Sequence, residues 1–442
     1  MPRKRLNRFR DKYCTAEEAV RLIQSGSKVV LSNFCSEPHQ LPAALMNRSE
    51  ELHDVQVFHL KPCGKFIERY LEPSMERHIK CATAFAGGSR PIVQLLSEGR
   101  ADFYPLPLSE ISSLLKTGAF KPDVFMCTVS PPDEEGYCSL GVSVDYGRVA
   151  SETARIVIAE VNENMPRTCG DSLIHLSRID RIVEATEPIY ELPSTGIANL
   201  EKLGENVASL VEDESTIQIG FGAISESIAP FLKDKKDLGM HTEMLPETVL
   251  TLVDQGALTC SKKNQVNGKI VCAFAAGTKR LYEWMNDNPL IEMKPLDYTN
   301  DPRIIASNTK MTSINTALQV DLYGNTYSDV LGFSEYSGAG GQPDFVLGAQ
   351  LCRDGKSIIA IPAAVRDQVS KIVLHPALSK NPRAPMLPTI TRFHADYVVT
   401  EYGVASLAHK TVSERAKALI EISHPNLKDT LYEEARKAKL LE

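Results

Sequence analysis

The chain has 442 residues, 43% hydrophobic and 24% charged, the balance of a globular protein with a substantial core and room for two or three domains. A formal net charge of −7 gives no global basic field for nucleic acid, and no apolar run approaches the roughly 18 residues that a membrane span needs. Ten cysteines are scattered without a CxxC pair or a Cys/His cluster at zinc spacing, which reads as free thiols in a reducing cytoplasm rather than a disulfide framework or a metal site.

In chain order, the opening MPRKRLNRFRDKY (1–13) is basic but lacks the apolar stretch of a secretory signal, and reads as an arm packed on a neighbouring surface. TAEEAVRLIQSG (15–26) reads as a helix with Thr15 as N-cap, Glu18 three residues on and Gly26 as the stop. KVVLSNF (28–34) follows as a buried strand. The prolines of ATEPIYELPSTG (185–196) interrupt the pattern and mark a linker. IQIGFGAISESI (217–228) reads as strand, glycine turn and helix start, and ADYVVTEYG (395–403) as a further strand. Strand and helix in alternation argue for an α/β architecture with largely parallel sheets.

The chain also echoes itself. KVVLSNF and TIQIGFG (216–222) are strands running into a turn, 188 residues apart (28 to 216), and FMCTVSPPDEEGY (125–137) shifted equally lands on SINTALQVDLYGN (313–325). Asp133 then falls on Asp321 and Gly136 on Gly324. The reading is two similar open α/β domains, 1–190 and 191–442, with ligands at the carboxyl ends of the strands and the site in the cleft between the halves.

Several constellations are candidates for chemistry. GFGAI (220–224) sets two glycines between strand and helix, where backbone amides approach a ligand closely and the helix N-terminus favours negative charge. A plain strand-to-helix turn has the same form. SGAGGQPDF (337–345) has three glycines in four positions, fit either to donate amides to an oxyanion or to make a tight turn. Glu243, in GMHTEM (239–244), reads on its own as a solvated acid at a helix start. Asn315 interrupts a buried strand, so its amide needs a partner in the structure or a ligand. Glu401 ends an apolar strand as a cap or a site residue. No GxSxG is present and the ten histidines are dispersed, so no Ser/His or Cys/His triad is read.

Taken together, GFGAI…GMHTEM, SINTALQVDLYG, SGAGGQPDF, YVVTEYGVASL and ERAKALIEISHP resemble, in that order, the C-terminal half of the acetyl-CoA hydrolase/transferase family. DVFMCTVSPPDEEGYCSLGVSVDYG (123–147) and AEVNENMPRTCGDSLIH (159–175) extend the resemblance through the first half, so that it covers about residues 11–435. The branch is that of the 4-hydroxybutyrate and butyrate CoA-transferases.

The resemblance implies transfer of CoA from an acyl-CoA to a small carboxylic acid of the 4-hydroxybutyrate, butyrate, acetate, succinate or itaconate type. It makes Glu243 the nucleophile, with a γ-glutamyl-CoA thioester as intermediate, and Glu401 a second catalytic glutamate near it. The CoA-contacting turn falls on Gly220, Phe221, Gly222, Ala223 and Ile224, with Asn315 and Gly340 as further CoA or oxyanion contacts. It implies coenzyme A as substrate with no permanent cofactor and no metal, a cytoplasmic homodimer or higher homo-oligomer, and neither a nucleic-acid nor a membrane partner. Acyl-CoA hydrolysis on the same scaffold is the alternative, and a non-catalytic acyl-CoA sensor a remoter one. One segment departs from the pattern: AAVRDQV (363–369) stands where many relatives carry hydroxyl residues and a glycine-lysine turn. Arg366 there either meets a second carboxylate or lies on the surface.

Overall fold

The structure, a computed structural model, describes residues 7–193, 200–220, 222–332, 334–376 and 387–442. The chain forms two compact units. The first holds the chain to Pro193 with Val271–Thr299 and Glu335–Gly340, and the second holds the remainder. Both of these segments exchange backbone bonds with other parts of the first unit: Ala275 N donates to Val142 O at 2.8 Å, Asp171 N to Met293 O at 2.8 Å and Gly88 N to Tyr336 O at 3.1 Å.

The sheet of the first unit is built from β1 (Lys28–Leu31), β2 (Val55–Phe58), β3 (Ile79–Thr83), β4 (Ala101–Phe103), β5 (Val124–Val129), β6 (Ile156–Asn162) and β7 (Arg181–Ala185). They lie in the order β4-β3-β2-β1-β5-β6-β7, every neighbouring pair parallel. All six residues of β5 are buried, as expected of a parallel strand covered on both faces. One core joins Val29, Leu31, Val57, Met126 and Ile158 of these strands to Leu41 and Leu45 of a flanking helix.

The second unit contributes β8 (Thr216–Ile219), β9 (Gly239–Pro246), β10 (Thr312–Asn315), β11 (Lys356–Ala360), β12 (Tyr397–Thr400) and β13 (Gly403–Ser406). Their order is β9-β8-β10-β11-β12-β13, parallel except for the last strand, which returns as a hairpin. The run β9-β8-β10-β11-β12 repeats β2-β1-β5-β6-β7 strand for strand.

The repeat extends to single turns. Oδ1 of Asp133 accepts from the amides of Glu135 and Tyr137 at 3.0 and 2.9 Å, and Oδ1 of Asp321 from those of Tyr323 and Asn325 at 3.0 and 2.9 Å. Gly136 and Gly324 follow with φ of +96° and +97°, a region that glycine enters without a Cβ penalty.

At the start of the chain, helix α1 (Ala16–Ala19) opens on the expected capping box: Glu18 N donates to Thr15 Oγ1 at 3.2 Å and Thr15 N to Glu18 Oε2 at 3.1 Å. It tightens to a 3-10 turn over Val20–Leu22, where Arg48 donates to the carbonyls of Val20 and Ile23 at 2.7 and 3.0 Å. The helix is shorter than expected because these carbonyls find a side chain before Gly26. Of the basic arm, Lys12 Nζ donates to Leu176 O at 3.0 Å within the first unit. The ten cysteines are free thiols, and among the described residues no helix is long and apolar enough to cross a membrane.

Candidate active site

The carboxyl end of the second sheet brings three of the expected residues into one row. Ile217 of β8 pairs with Met240 of β9 and Ile219 with Ile314 of β10. Extending both registers places Gly220 beside Glu243 on one side and Asn315 on the other. Adjacent strands lie about 4.8 Å apart, so the backbones of Glu243 and Asn315 are on the order of 10 Å from each other. Thr242 Oγ1 donates to Ile219 O at 3.2 Å and to Met244 O at 3.0 Å, pinning the strand ends together.

Glu243 is not a helix-start acid. It is the fifth of the eight residues of β9 and the one residue of that strand that is not fully buried. The strand is covered on both faces, so the alternation that would have betrayed it is missing from the sequence. The Glu243 carboxylate is held by a fully buried amide: Asn300 Nδ2 donates to its Oε2 at 2.9 Å. The same nitrogen lies 3.3 Å from Oδ2 of the buried Asp344. Asp344 stands in the first turn of α3 (Gln342–Leu351), whose N-cap is Gly341. A Cβ on Gly341 would overlap both Glu243 Oε2 and Asn300 Nδ2. At φ −89° the requirement for glycine is close approach and not backbone conformation.

The glycine turn after β8 also has the expected form. Gly222 takes φ +91° as N-cap of α2 (Ala223–Leu232). Among the described residues, its chain neighbours aside, no atom approaches within 4 Å of where its Cβ would stand, and for Gly220 only Ser225 Oγ does, at 3.9 Å. Ala223 and Ile224 open the helix half-buried. Phe221 lies outside the described residues. Asn315 is half-buried, and its Nδ2 donates to Oε1 of the buried Gln218 at 3.2 Å. Gln218 also exchanges bonds with Ile314, whose N donates to its Oε1 at 3.2 Å.

Gly340 falls in the first unit, with φ +61° and its carbonyl accepting from Leu108 N at 3.1 Å; the glycine against the carboxylate is the next one, Gly341. Glu401 follows β12, four strand positions from β9, on the order of 19 Å across the sheet. Its Oε2 accepts from Ala363 N at 2.9 Å. It stands near Lys371, whose ammonium is pushed down by burial and drawn back by the Glu401 charge. Arg366 sits at the exposed tip of the hairpin Ala364–Val365 to Val369–Ser370 with φ +50°. Asn300 and Asp344 are absent from the sequence reading. Asp344 lies inside a motif already singled out for its glycines, whereas Asn300 has no local signal, because its partners are 57 and 44 residues away.

The corresponding row of the first unit, by the same register, is Cys127, Ser32 and Leu60. The repeat therefore carries no carboxylate there, and the chemistry of this row belongs to the second unit.

Comparison with known proteins gives the family. The N-terminal domain of the acetyl-CoA hydrolase/transferase family matches residues 2–192, and its C-terminal domain residues 277–435. The chain is 44% identical over 431 residues to the 4-hydroxybutyrate coenzyme A transferase of Clostridium kluyveri, covering 97% of this chain and 98% of that one. Among solved structures, RipA from Yersinia pestis superposes with a TM-score of 0.89 at 35% identity, covering 98% of each chain. A 4-hydroxybutyrate CoA-transferase from Porphyromonas gingivalis gives 0.83 at 35% identity, covering 98% of this chain and 99% of that one. An acetyl-CoA hydrolase, that of Candida albicans, is more distant at 26% identity, over 95% of this chain and 88% of that one. The chain belongs to the acetyl-CoA hydrolase/transferase family, on its CoA-transferase side.

Proposed function

We propose that Glu243 is the nucleophile of a ping-pong CoA transfer from an acyl-CoA to a small carboxylic acid. The observation that carries this is a half-exposed carboxylate in an otherwise buried strand, oriented by a buried amide and set against a glycine backbone. A carboxylate nucleophile splits the exchange into covalent steps that keep the thioester energy out of water. A Glu243 oxygen attacks the acyl carbonyl, CoA leaves as thiolate, and a mixed anhydride remains. The thiolate attacks the glutamyl carbonyl, releasing the first acid as carboxylate and leaving γ-glutamyl-CoA. An incoming carboxylate attacks that thioester, and the sequence runs in reverse to a new acyl-CoA and free Glu243.

Each tetrahedral oxyanion needs donors. The amides of the Gly220–Ile224 turn, open at the strand end, and the Asn315 amide suit the role, worth about 3 kcal/mol per donor. Glu401, bonded at a distance, serves the site through Lys371 and the segment at Ala363 rather than at the reacting atoms. 4-Hydroxybutyrate is the first acid to test, given the similarity to transferases of that name, followed by butyrate, acetate, succinate and itaconate. We further infer a cytoplasmic homodimer that takes acyl-CoA as substrate and has no resident cofactor.

The test is acceptor dependence. With purified protein and an acyl-CoA donor, new acyl-CoA forms only when a second carboxylate is supplied, and initial rates give the parallel reciprocal plots of a ping-pong reaction. Thiol release without an acceptor, at the rate seen with one, would instead make the protein a hydrolase.

A further inference from the structure

We propose that Asp344 is a positioning residue for this reaction, acting on Glu243 through the Asn300 amide; the proposal rests on the reading of Glu243 as nucleophile. A carboxamide presents an oxygen at one end and a donor at the other, and the groups around it decide which faces where. Here two carboxylates meet the same nitrogen, Glu243 Oε2 at 2.9 Å and Asp344 Oδ2 at 3.3 Å. An ionised carboxylate only accepts, so both favour the donor end. Turning Asn300 over would bring its carbonyl oxygen against two negative groups. Asp344 thus keys the amide so that Glu243 meets a donor in every turnover.

Asp344 is in the first turn of α3, whose N-cap is Gly341. A carboxylate buried to this degree is costly unless it is well bonded. Asn300 leads directly into the helix Pro302–Ala306, whose N-cap Asp301 accepts from Arg303 N at 2.8 Å, so its backbone is anchored independently of Asp344.

The experiment is a double-mutant cycle on the full chain with Asp344→Asn and Asn300→Ala. It reads single-turnover formation of the glutamyl thioester from acyl-CoA without acceptor, and acyl-CoA affinity. Asp344→Asn is expected to slow thioester formation ten- to a hundredfold, with acyl-CoA affinity unchanged. Asn300→Ala is expected to cost at least as much, and the double variant no more than Asn300→Ala alone, because one residue acts through the other. Asp344→Ser, smaller and still polar, should reproduce the loss and serves if the first variant does not fold. Thioester formation at the wild-type rate in the Asp344 variants, or losses that multiply in the double variant, would overturn the proposal. Failure of the underlying reading looks different: wild-type protein would then carry no thioester on Glu243 at all.

Discussion

At Gly341 the backbone itself touches the Glu243 carboxylate, and a methyl group there has no space that Glu243 Oε2 and Asn300 Nδ2 do not already occupy. Gly341→Ala keeps an ordinary helix N-cap, since φ is −89°. Its cost should therefore fall on position rather than on folding. A displacement near 1 Å costs about a hundredfold in rate, so we expect turnover to drop by about that factor while the thermal midpoint changes little. Steady-state kinetics beside a melting curve checks this, and an active Gly341→Ala would mean that the carboxylate does not react from where it is held. Of the residues around this carboxylate, only Glu243 was legible in the sequence, and only through its motif. Asn300 meets Asp344 across 44 residues of chain and Glu243 across 57, which no local pattern records.

Among the elements, the strand-to-turn junctions are the parts on which the two units differ most. After β8 the turn is glycine, with open space above it. After β1 the equivalent turn carries Phe34 at φ +49° and leads to Glu37, which is buried. Glu37 ties this turn to the segment after β2, accepting from Gly64 N at 2.6 Å and Cys63 N at 3.2 Å. Burial nevertheless pushes its carboxyl up to about 8. In the unfolded chain the same group titrates near 4.3, about the value of a free glutamate. Between those values the folded protein holds a proton that the unfolded chain has released. Stability therefore falls as pH rises from about 4.5 to about 8 and levels off above, by up to ~1.4 kcal/mol per pH unit. Glu37→Gln should remove that slope. Urea unfolding of both proteins across this range measures it, and identical slopes would show that Glu37 is ionised in the fold. The strands themselves and the Thr15 cap could be read from local chemistry. The strand character of Glu243's own segment could not, because β9 is buried on both faces and has no alternation to show.

In the whole molecule one strand order is written twice, and the matched turns at Asp133 and Asp321 show how closely. The common offset made the duplication legible before any coordinates. What it did not convey was that Val271–Thr299 and Glu335–Gly340 are grouped with the first unit, through contacts distant in sequence. The duplication also sharpens the functional claim. At equivalent points of the row the units carry Glu243 and Leu60, so a single carboxylate per chain is available to form a thioester there. Incubation with acyl-CoA in the absence of acceptor, followed by borohydride and peptide mass spectrometry, counts and locates that group. The account predicts conversion of one glutamate per chain to its alcohol, at Glu243, with no conversion in Glu243→Ala. Reduction at another residue, at Glu401 for instance, or an active Glu243→Ala, would contradict it.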